Sequence, residues 1–185
     1  MSSLAEGEKK LLLEVARGAL TAAVERRGIP EFPTHAPLSQ PAGAFVTITR
    51  DGRLRGCIGQ LPSGVRLIEV VAFCARGVAS EDPRFPPVQP GELSTLDIEL
   101  SVLSELTDIQ PDEIESGKHG LFVTNGSRRG VLLPQVAVQF QWSGMRFLEA
   151  ACEKAGLPRD AWKNRQTRVQ AFTAQVFSES EFRTA

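Results

Sequence analysis

The sequence predicts an α+β fold in which an antiparallel sheet, built from hairpins, is flanked by helices. Two segments carry hairpin signals: Asp51–Gly52 lies between the runs AFVTITR and RLRGCIG, and Asn125–Gly126 lies within HGLFVTNGSRRGVLLP. The strands come in hairpins and do not alternate strictly with helices, which argues against a parallel βαβ fold. A chain of 185 residues suits a single domain spanning residues 1–185.

Composition argues against two functional classes. The chain is 42% hydrophobic and 23% charged, with a net charge of −1 and 6% aromatic residues. Nucleic-acid-binding proteins usually carry a basic excess and rings for base stacking, so nucleic acid is disfavoured as a partner. No apolar run approaches the roughly 18 residues of a membrane span, and charged residues interrupt the N-terminal segment. The expectation is a cytoplasmic protein with no membrane partner.

Helices are predicted over residues 4–27, over residues 65–80 and within SGMRFLEAACEKAGLP, with shorter ones at QPDEIESG and at Pro134. Residues 96–106 and 167–179 are predicted as strands because apolar and polar residues alternate along them. Two proline-rich segments, 30–41 and 81–93, predict irregular loops. The first contains His35, and it either connects elements on the surface or folds over a site.

The first hairpin predicts where Cys57 points. A two-residue turn at Asp51–Gly52 would set the register of both strands. The resulting pairs are Arg50–Arg53, Val46–Cys57 and Ile48–Arg55. Strand alternation then places Arg55 and Cys57 on one mixed face that also carries Val46 and Ile48.

The three cysteines, at positions 57, 74 and 152, do not suggest a disulfide framework or a metal centre. Their number is odd, and their spacing matches no zinc or iron–sulfur motif. Cys74 and Cys152 lie among the apolar residues of predicted helices, where a free cysteine behaves as a small hydrophobic residue. No metal and no cofactor is predicted.

Cys57 has two interpretations. A thiol reacts as the thiolate, and Arg55 on the same face would favour the anion. Gly56 and Gly59 would let a ligand come close to the backbone. Alternatively, Cys57 is a buried strand cysteine whose neighbouring glycines permit tight packing, which composition alone favours.

Three further residues each have a structural and a functional interpretation. In EDPRFPP, Asp82 and Arg84 either form a local turn with an ion pair or are presented to a pocket by a rigid loop. His119 in GKHGL is either a turn residue or a general acid or base, and no spacing connects it to Cys57. The sequence contains no phosphate loop, dinucleotide fingerprint or nucleophile elbow.

Six segments occur in a recognisable order between Phe45 and Trp162: FVTITRDGRLRGCIG, EDPRFPPV, ELSTLDIELSVLSE, GKHGLFV, GVLLPQVA and FLEAACEKAGLPRDAW. With them the chain resembles the AMMECR family, whose prokaryotic members are labelled AmmeMemoRadiSam system protein A. The resemblance implies an α+β fold with a larger and a smaller lobe, and a cleft near the LRGCIG strand. The family motifs fall on Leu54–Gly59, Asp82–Pro86, His119, Gly120, Leu133 and Pro134.

The resemblance implies a pathway and not a particular reaction. Prokaryotic genes of the family are associated with a Memo-like protein and a radical SAM enzyme, and this chain lacks the CxxxCxxC motif of the latter. One hypothesis is an enzyme, or an enzyme component, with a Cys57-centred cleft. Its catalytic residues are Cys57 and His119, and its ligand-binding residues are Arg55, Gly56, Gly59, Asp82 and Arg84. In this hypothesis Arg55 stabilises an anion and Arg84 holds a carboxylate or phosphate.

The other hypothesis is a scaffold or binding module that docks onto those two partners, with glycines and prolines shaping a rigid surface for a peptide or small-molecule ligand. Nucleic-acid binding is a third hypothesis, which the charge balance disfavours.

Overall fold

The computed structural model describes residues 3–28, 31 and 36–183, so the predicted role of His35 lies outside the described residues. The chain divides into two compact units. Unit 1 comprises Met1–Leu103 and Gln175–Ala185, and unit 2 comprises Ser104–Ala174. Within the described ranges, no helix is both long enough and apolar enough to cross a membrane.

The described elements follow in chain order: α1 (Glu6–Val24), β1 (Gly43–Arg50), β2 (Arg53–Gln60), α2 (Leu67–Gly77), β3 (Leu96–Leu103), β4 (Thr107–Asp108), β5 (Gly120–Asn125), β6 (Arg128–Leu132), α3 (Pro134–Gln139), α4 (Gly144–Lys154), β7 (Arg168–Phe172), β8 (Ala174–Ser178) and α5 (Glu179–Arg183). Short 3₁₀ turns occur at Ala36–Ser39, Pro90–Thr95, Pro111–Glu113 and Ala161–Lys163. The predicted α+β class is confirmed, although the described strands form two four-stranded sheets where one was expected.

Unit 1 contains a sheet in the order β2-β1-β3-β8, which makes β2 an edge strand. Helices α1 and α2 pack against each other, α2 also contacts β1, and α1 contacts β3. Alternate residues of the strands, such as Val46, Ile48, Ile98 and Leu100, are fully buried in this core. Cys74 of α2 lies in the same core, as expected, with its Sγ 3.7 Å from the carbonyl oxygen of Ala44.

The first hairpin closes as predicted but then changes register. Asp51 and Gly52 have φ values of +50° and +72°, which suit the type I′ turn that joins two strands tightly. Arg50 pairs with Arg53, as expected. A β-bulge then shifts the register between Ile48 and Thr49, because β2 carries one extra residue there. Cys57 therefore pairs with Thr47 and Gly56 pairs with Ile48, so the predicted pairs Val46–Cys57 and Ile48–Arg55 are wrong.

Unit 2 contains the second sheet, in the order β4-β7-β5-β6, with α4 packed on β5 and β6. Its core includes Leu121, Phe147, Leu148 and Cys152, all fully buried, which confirms the packing role expected for Cys152. The turn of its hairpin lies one residue later than predicted, because Asn125 still pairs with Arg128.

The last predicted strand is wrong in one respect. Residues 167–179 form two strands, β7 and β8, which belong to different sheets. At the break, the Ser104 N–H donates to the Thr173 carbonyl at 2.9 Å and the Thr173 N–H donates to the Ser104 Oγ at 2.9 Å. Ser104, which follows β3, and Thr173, which precedes β8, are therefore hydrogen-bonded neighbours.

Candidate functional site

Three side chains lie side by side across the unit 1 sheet. Cys57 of β2 is directly opposite Thr47 of β1, and Thr47 is directly opposite Glu99 of β3. Directly paired residues project to the same face of a sheet, so Cys57, Thr47 and Glu99 form a row, here called the Cys57 row. All three side chains are half-buried, and they lie on the face opposite the apolar core.

The Cys57 thiol is neutral in this environment. The Thr47 hydroxyl donates to the Cys57 Sγ at 3.3 Å. Burial raises the pKa of the thiol, and this effect exceeds the lowering caused by the Thr47 hydrogen bond and by the Arg84 guanidinium. Because a raised pKa leaves little thiolate at neutral pH, the resting thiol is a poor nucleophile.

Asp82 connects the strand to the proline-rich loop that follows α2. Its side chain is only 4% exposed, and its Oδ2 accepts the Cys57 backbone N–H at 2.9 Å. This N–H is on an edge strand and would otherwise have no partner in the sheet. The Arg84 guanidinium donates to both carboxylate oxygens, from Nε to Oδ1 at 2.9 Å and from Nη2 to Oδ2 at 2.7 Å. These hydrogen bonds from Arg84 hold the pKa of Asp82 far below its ordinary value.

Arg84 is fixed by Asp82 but still has hydrogen-bond donors available. Its side chain is 55% exposed, and the guanidinium carbon lies 5.5 Å from the centre of the Phe85 ring. Nε and Nη2 bind Asp82, whereas Nη1 makes no hydrogen bond within the described residues. An arginine fixed in this way keeps donors directed at a second anion.

Arg55 has a different partner from the one predicted. Its guanidinium binds Glu92, from Nε to Oε1 at 2.9 Å and from Nη2 to Oε2 at 3.1 Å. Glu92 also accepts the Gln89 backbone N–H at 2.9 Å, so Arg55 ties β2 to the 3₁₀ turn before β3. The guanidinium that favours the Cys57 thiolate is that of Arg84.

The two glycines beside Cys57 are explained by packing. A Cβ on Gly56 would lie 2.9 Å from the Val78 Cγ2, where the strand meets the end of α2. The Phe45 ring lies across Gly59, so a side chain there would collide with the ring. Neither glycine needs a ligand to account for it.

His119 belongs to unit 2, where it immediately precedes β5. Its Nδ1 accepts the Glu115 backbone N–H at 3.1 Å, and its own N–H donates to the Glu115 carbonyl at 3.1 Å. These hydrogen bonds close a local turn. The structure thus brings together Cys57, Asp82 and Arg84 within unit 1.

Sequence reasoning did not identify Thr47 and Glu99. The polar alternation of each strand is visible in the sequence, but the neighbours of Cys57 depend on the bulge at Arg55. Among the described residues, no group of three or more His, Cys, Asp or Glu side chains is arranged to hold a metal ion.

The fold and the site define a class of α+β protein with two compact units and a strand that carries an Arg-Gly-Cys sequence. The AMMECR1 family model matches residues 13–177, and the chain belongs to this family. A Thermofilum pendens protein is 40% identical over 97% of this chain and 93% of its own length. Protein MK0488 of Methanopyrus kandleri is also 40% identical, over 97% and 91%. The crystal structure of uncharacterized protein PH0010 from Pyrococcus horikoshii is 38% identical, with a TM-score of 0.84 over 91% of this chain and 89% of that one.

Proposed function

We propose that this protein binds a ligand through an anionic group at the Cys57 end of the row, with Arg84 holding the anion and the Cys57 thiol in contact with the ligand. One observation carries the proposal: a single buried carboxylate, Asp82, binds both the Cys57 amide and the Arg84 guanidinium. This carboxylate connects the loop motif to the strand motif, which supports a shared site.

The state of Arg84 favours binding of an anion. The hydrogen bonds to Asp82 already order its long side chain, so a ligand need not offset that entropy cost. Its exposed edge can donate to a carboxylate or a phosphate without any rearrangement. The neutral thiol beside it favours recognition over nucleophilic attack in the resting state.

Alkylation with two reagents that differ in charge tests this proposal. Iodoacetate is anionic and iodoacetamide is neutral, so the ratio of their rates at Cys57 reports the local field. Cys74 and Cys152 are fully buried, and mass spectrometry of the native protein therefore isolates Cys57. We expect Arg84→Gln to lower the iodoacetate to iodoacetamide ratio about threefold at low ionic strength, as the loss of one nearby charge would.

A matched control is Arg66→Gln, because Arg66 is also a half-exposed arginine of unit 1 that pairs with a nearby carboxylate, that of Glu69. This change should leave the ratio unaltered. An unchanged ratio in Arg84→Gln would remove the anion site and with it the proposal.

We further propose that the protein acts in a pathway with a Memo-like protein and a radical SAM enzyme, and that its ligand belongs to that pathway. A non-catalytic scaffold for the same partners is the second candidate, and the raised pKa of the Cys57 thiol favours it over catalysis. Complementation of a deletion strain separates the two. Loss of function in both Cys57→Ala and Arg84→Gln supports a ligand site, whereas full complementation by both, together with co-purification of the partners, supports the scaffold.

A further inference from the structure

We propose that Glu99 is a specificity-determining residue of this site, holding a cationic group of the ligand whose anionic group is held by Arg84. The site would then select an extended zwitterion such as a short peptide with free termini. This inference rests on the proposed function above and adds the other half of the ligand.

Glu99 differs from the other poorly exposed carboxylates of unit 1. Asp82 binds Arg84, Glu92 binds Arg55, and Glu179 binds Arg17. Glu99 is half-buried and makes no hydrogen bond or ion pair within the described residues, although it lies directly opposite Thr47. A partly buried carboxylate with no cation is costly, and a ligand ammonium would remove that cost.

Two acidic groups act on Glu99, namely Asp97 of the same strand and Glu181 of α5, and a cation would relieve their repulsion. Arg183 of α5 lies 3.5 Å from Asp97 and forms no ion pair with Glu99. Burial, followed by repulsion from Glu181 and Asp97, raises the pKa of Glu99. No described cation lies within ion-pairing distance of its carboxylate.

The spacing of the row sets the length of the ligand. Adjacent strands lie about 4.8 Å apart, so Cys57 and Glu99 are about 10 Å apart across β2, β1 and β3. Arg84 lies at the β2 edge, beside Cys57. An extended tripeptide spans about 10 Å. A tripeptide with its ammonium at Glu99 would therefore have its carboxylate near Cys57, at the β2 edge from which Arg84 donates, and its uncharged middle over Thr47.

Two methanethiosulfonate reagents with the same reactive group provide the first test. One carries a trimethylammonium and the other a sulfonate, and each forms a mixed disulfide with Cys57 while releasing methanesulfinate. The cation-to-anion rate ratio cancels the thiolate fraction, which substitution of Glu99 itself changes. We expect Glu99→Gln to lower this ratio about threefold and Arg84→Gln to raise it about threefold at low ionic strength, with Glu69→Gln as an inert control.

The pattern of outcomes separates the two proposals. If Arg84→Gln changes the ratio and Glu99→Gln does not, the inference about Glu99 is wrong and the anion site stands. If neither changes it, both are wrong. The wild-type ratio should also fall as the pH falls through the raised pKa of Glu99, because the carboxyl becomes protonated, whereas the ratio in Glu99→Gln should lack this titration.

Protection by tripeptides provides the second test. Triglycine carries both charges, N-acetyl-triglycine lacks the cation and triglycine amide lacks the anion. We expect millimolar triglycine to slow labelling of Cys57 by iodoacetamide more than either blocked form does, and the advantage over the N-acetyl form to vanish in Glu99→Gln. Equal protection by triglycine and its N-acetyl form, or no protection by any of the three, would contradict the zwitterion.

Discussion

Asp82 is the residue on which the candidate site depends structurally. Its buried carboxylate satisfies the Cys57 amide and fixes the Arg84 guanidinium. We expect Asp82→Ala to lower the free energy of unfolding by about 3 kcal/mol at pH 7, because a buried donor and a guanidinium lose their acceptor. Urea unfolding measures this loss. The control, Asp108→Ala, removes an exposed ion pair with Arg168 and should cost much less.

The pH dependence of that loss has a definite sign. The pKa of Asp82 is lowered by folding, so its contribution is present above the unfolded pKa of about 3.9 and is lost as the pH falls through the folded pKa. The difference between wild type and Asp82→Ala should therefore shrink on acidification below about pH 4. A difference that is constant from pH 7 to pH 2 would assign the loss to packing.

Glu99 has the opposite linkage. Its pKa is raised in the folded protein, so folding binds a proton and stability falls as the pH rises through the folded pKa. We expect Glu99→Gln to raise the melting temperature at pH 7 but not at about pH 3, below the unfolded pKa of about 4.3, where the wild-type carboxyl is protonated in both states. Calorimetry at the two pH values checks this. A lower melting temperature at pH 7 would mean that Glu99 stabilises the fold.

The Cys57 thiol should titrate above an ordinary cysteine. Burial raises its pKa, so iodoacetamide labelling at pH 7 should be slower than that of a free thiol and should still be rising above pH 9. Thr47→Val removes the hydrogen bond that favours the thiolate, and should shift the labelling profile further upward. A midpoint below pH 8.5 would restore the nucleophile hypothesis.

At the scale of elements, the hairpin shows what can and cannot be predicted from sequence. The Asp-Gly turn was predictable because Gly52, and to a lesser degree Asp51, tolerates the positive φ that the turn requires. The bulge was not, since no residue type in RLRGCIG demands an extra residue at Arg55. That single residue moved Cys57 from beside Val46 to beside Thr47, and hence from a mixed face to a polar one.

Gly56 illustrates how closely β2 packs on the end of α2. We expect Gly56→Ala to cost about 1–3 kcal/mol, because the added methyl would meet Val78 at 2.9 Å and Ile48 at 3.3 Å. Chemical denaturation measures the cost. Gly91→Ala is the control, since a Cβ there meets nothing within 4 Å and its φ is not in the left-handed region. Equal stability of Gly56→Ala and Gly91→Ala would show that β2 can move away from α2 to accommodate the added methyl group at little cost.

The final strand was mispredicted for a related reason. Residues 167–179 keep a strand-like composition without glycine or proline, so nothing in them marks the passage from one sheet to the other. The break at Thr173 is fixed by hydrogen bonds to Ser104, about 70 residues away in the chain. Because the partner residue is so far away in the chain, the residues around Thr173 carry no local sequence pattern that predicts the break.

At the scale of the molecule, the sequence predicted the fold class, most of the elements and two of the three cysteine environments. The helix periodicities and hairpin signals suffice for these, because they depend on local pattern. The site was predicted only in part. The loop and strand motifs named Asp82, Arg84 and Cys57, but their connection through one buried carboxylate, and the row that includes Glu99, are products of long-range packing.

The two compact units allow a direct test of independence. Replacing residues 104–174 by a short Gly-Ser linker should leave unit 1 folded, because Ser104 and Thr173 already lie side by side. A cooperative urea transition and retained selective labelling of Cys57 are the expected results. Loss of any cooperative transition would show that unit 1 requires unit 2 to fold.

The Ser104–Thr173 pair also has a consequence for chain statistics. While unit 2 is folded, its first residue, Ser104, lies beside Thr173 near its end. For unit 1, the inserted segment then acts like a connecting loop of only a few residues. When unit 2 unfolds, the same ends are joined by a flexible loop of about 70 residues. Since closure entropy grows with the logarithm of loop length, the longer loop costs about 2–3 kcal/mol more to close. Ordering of the inserted segment therefore raises the stability of its host through connectivity alone.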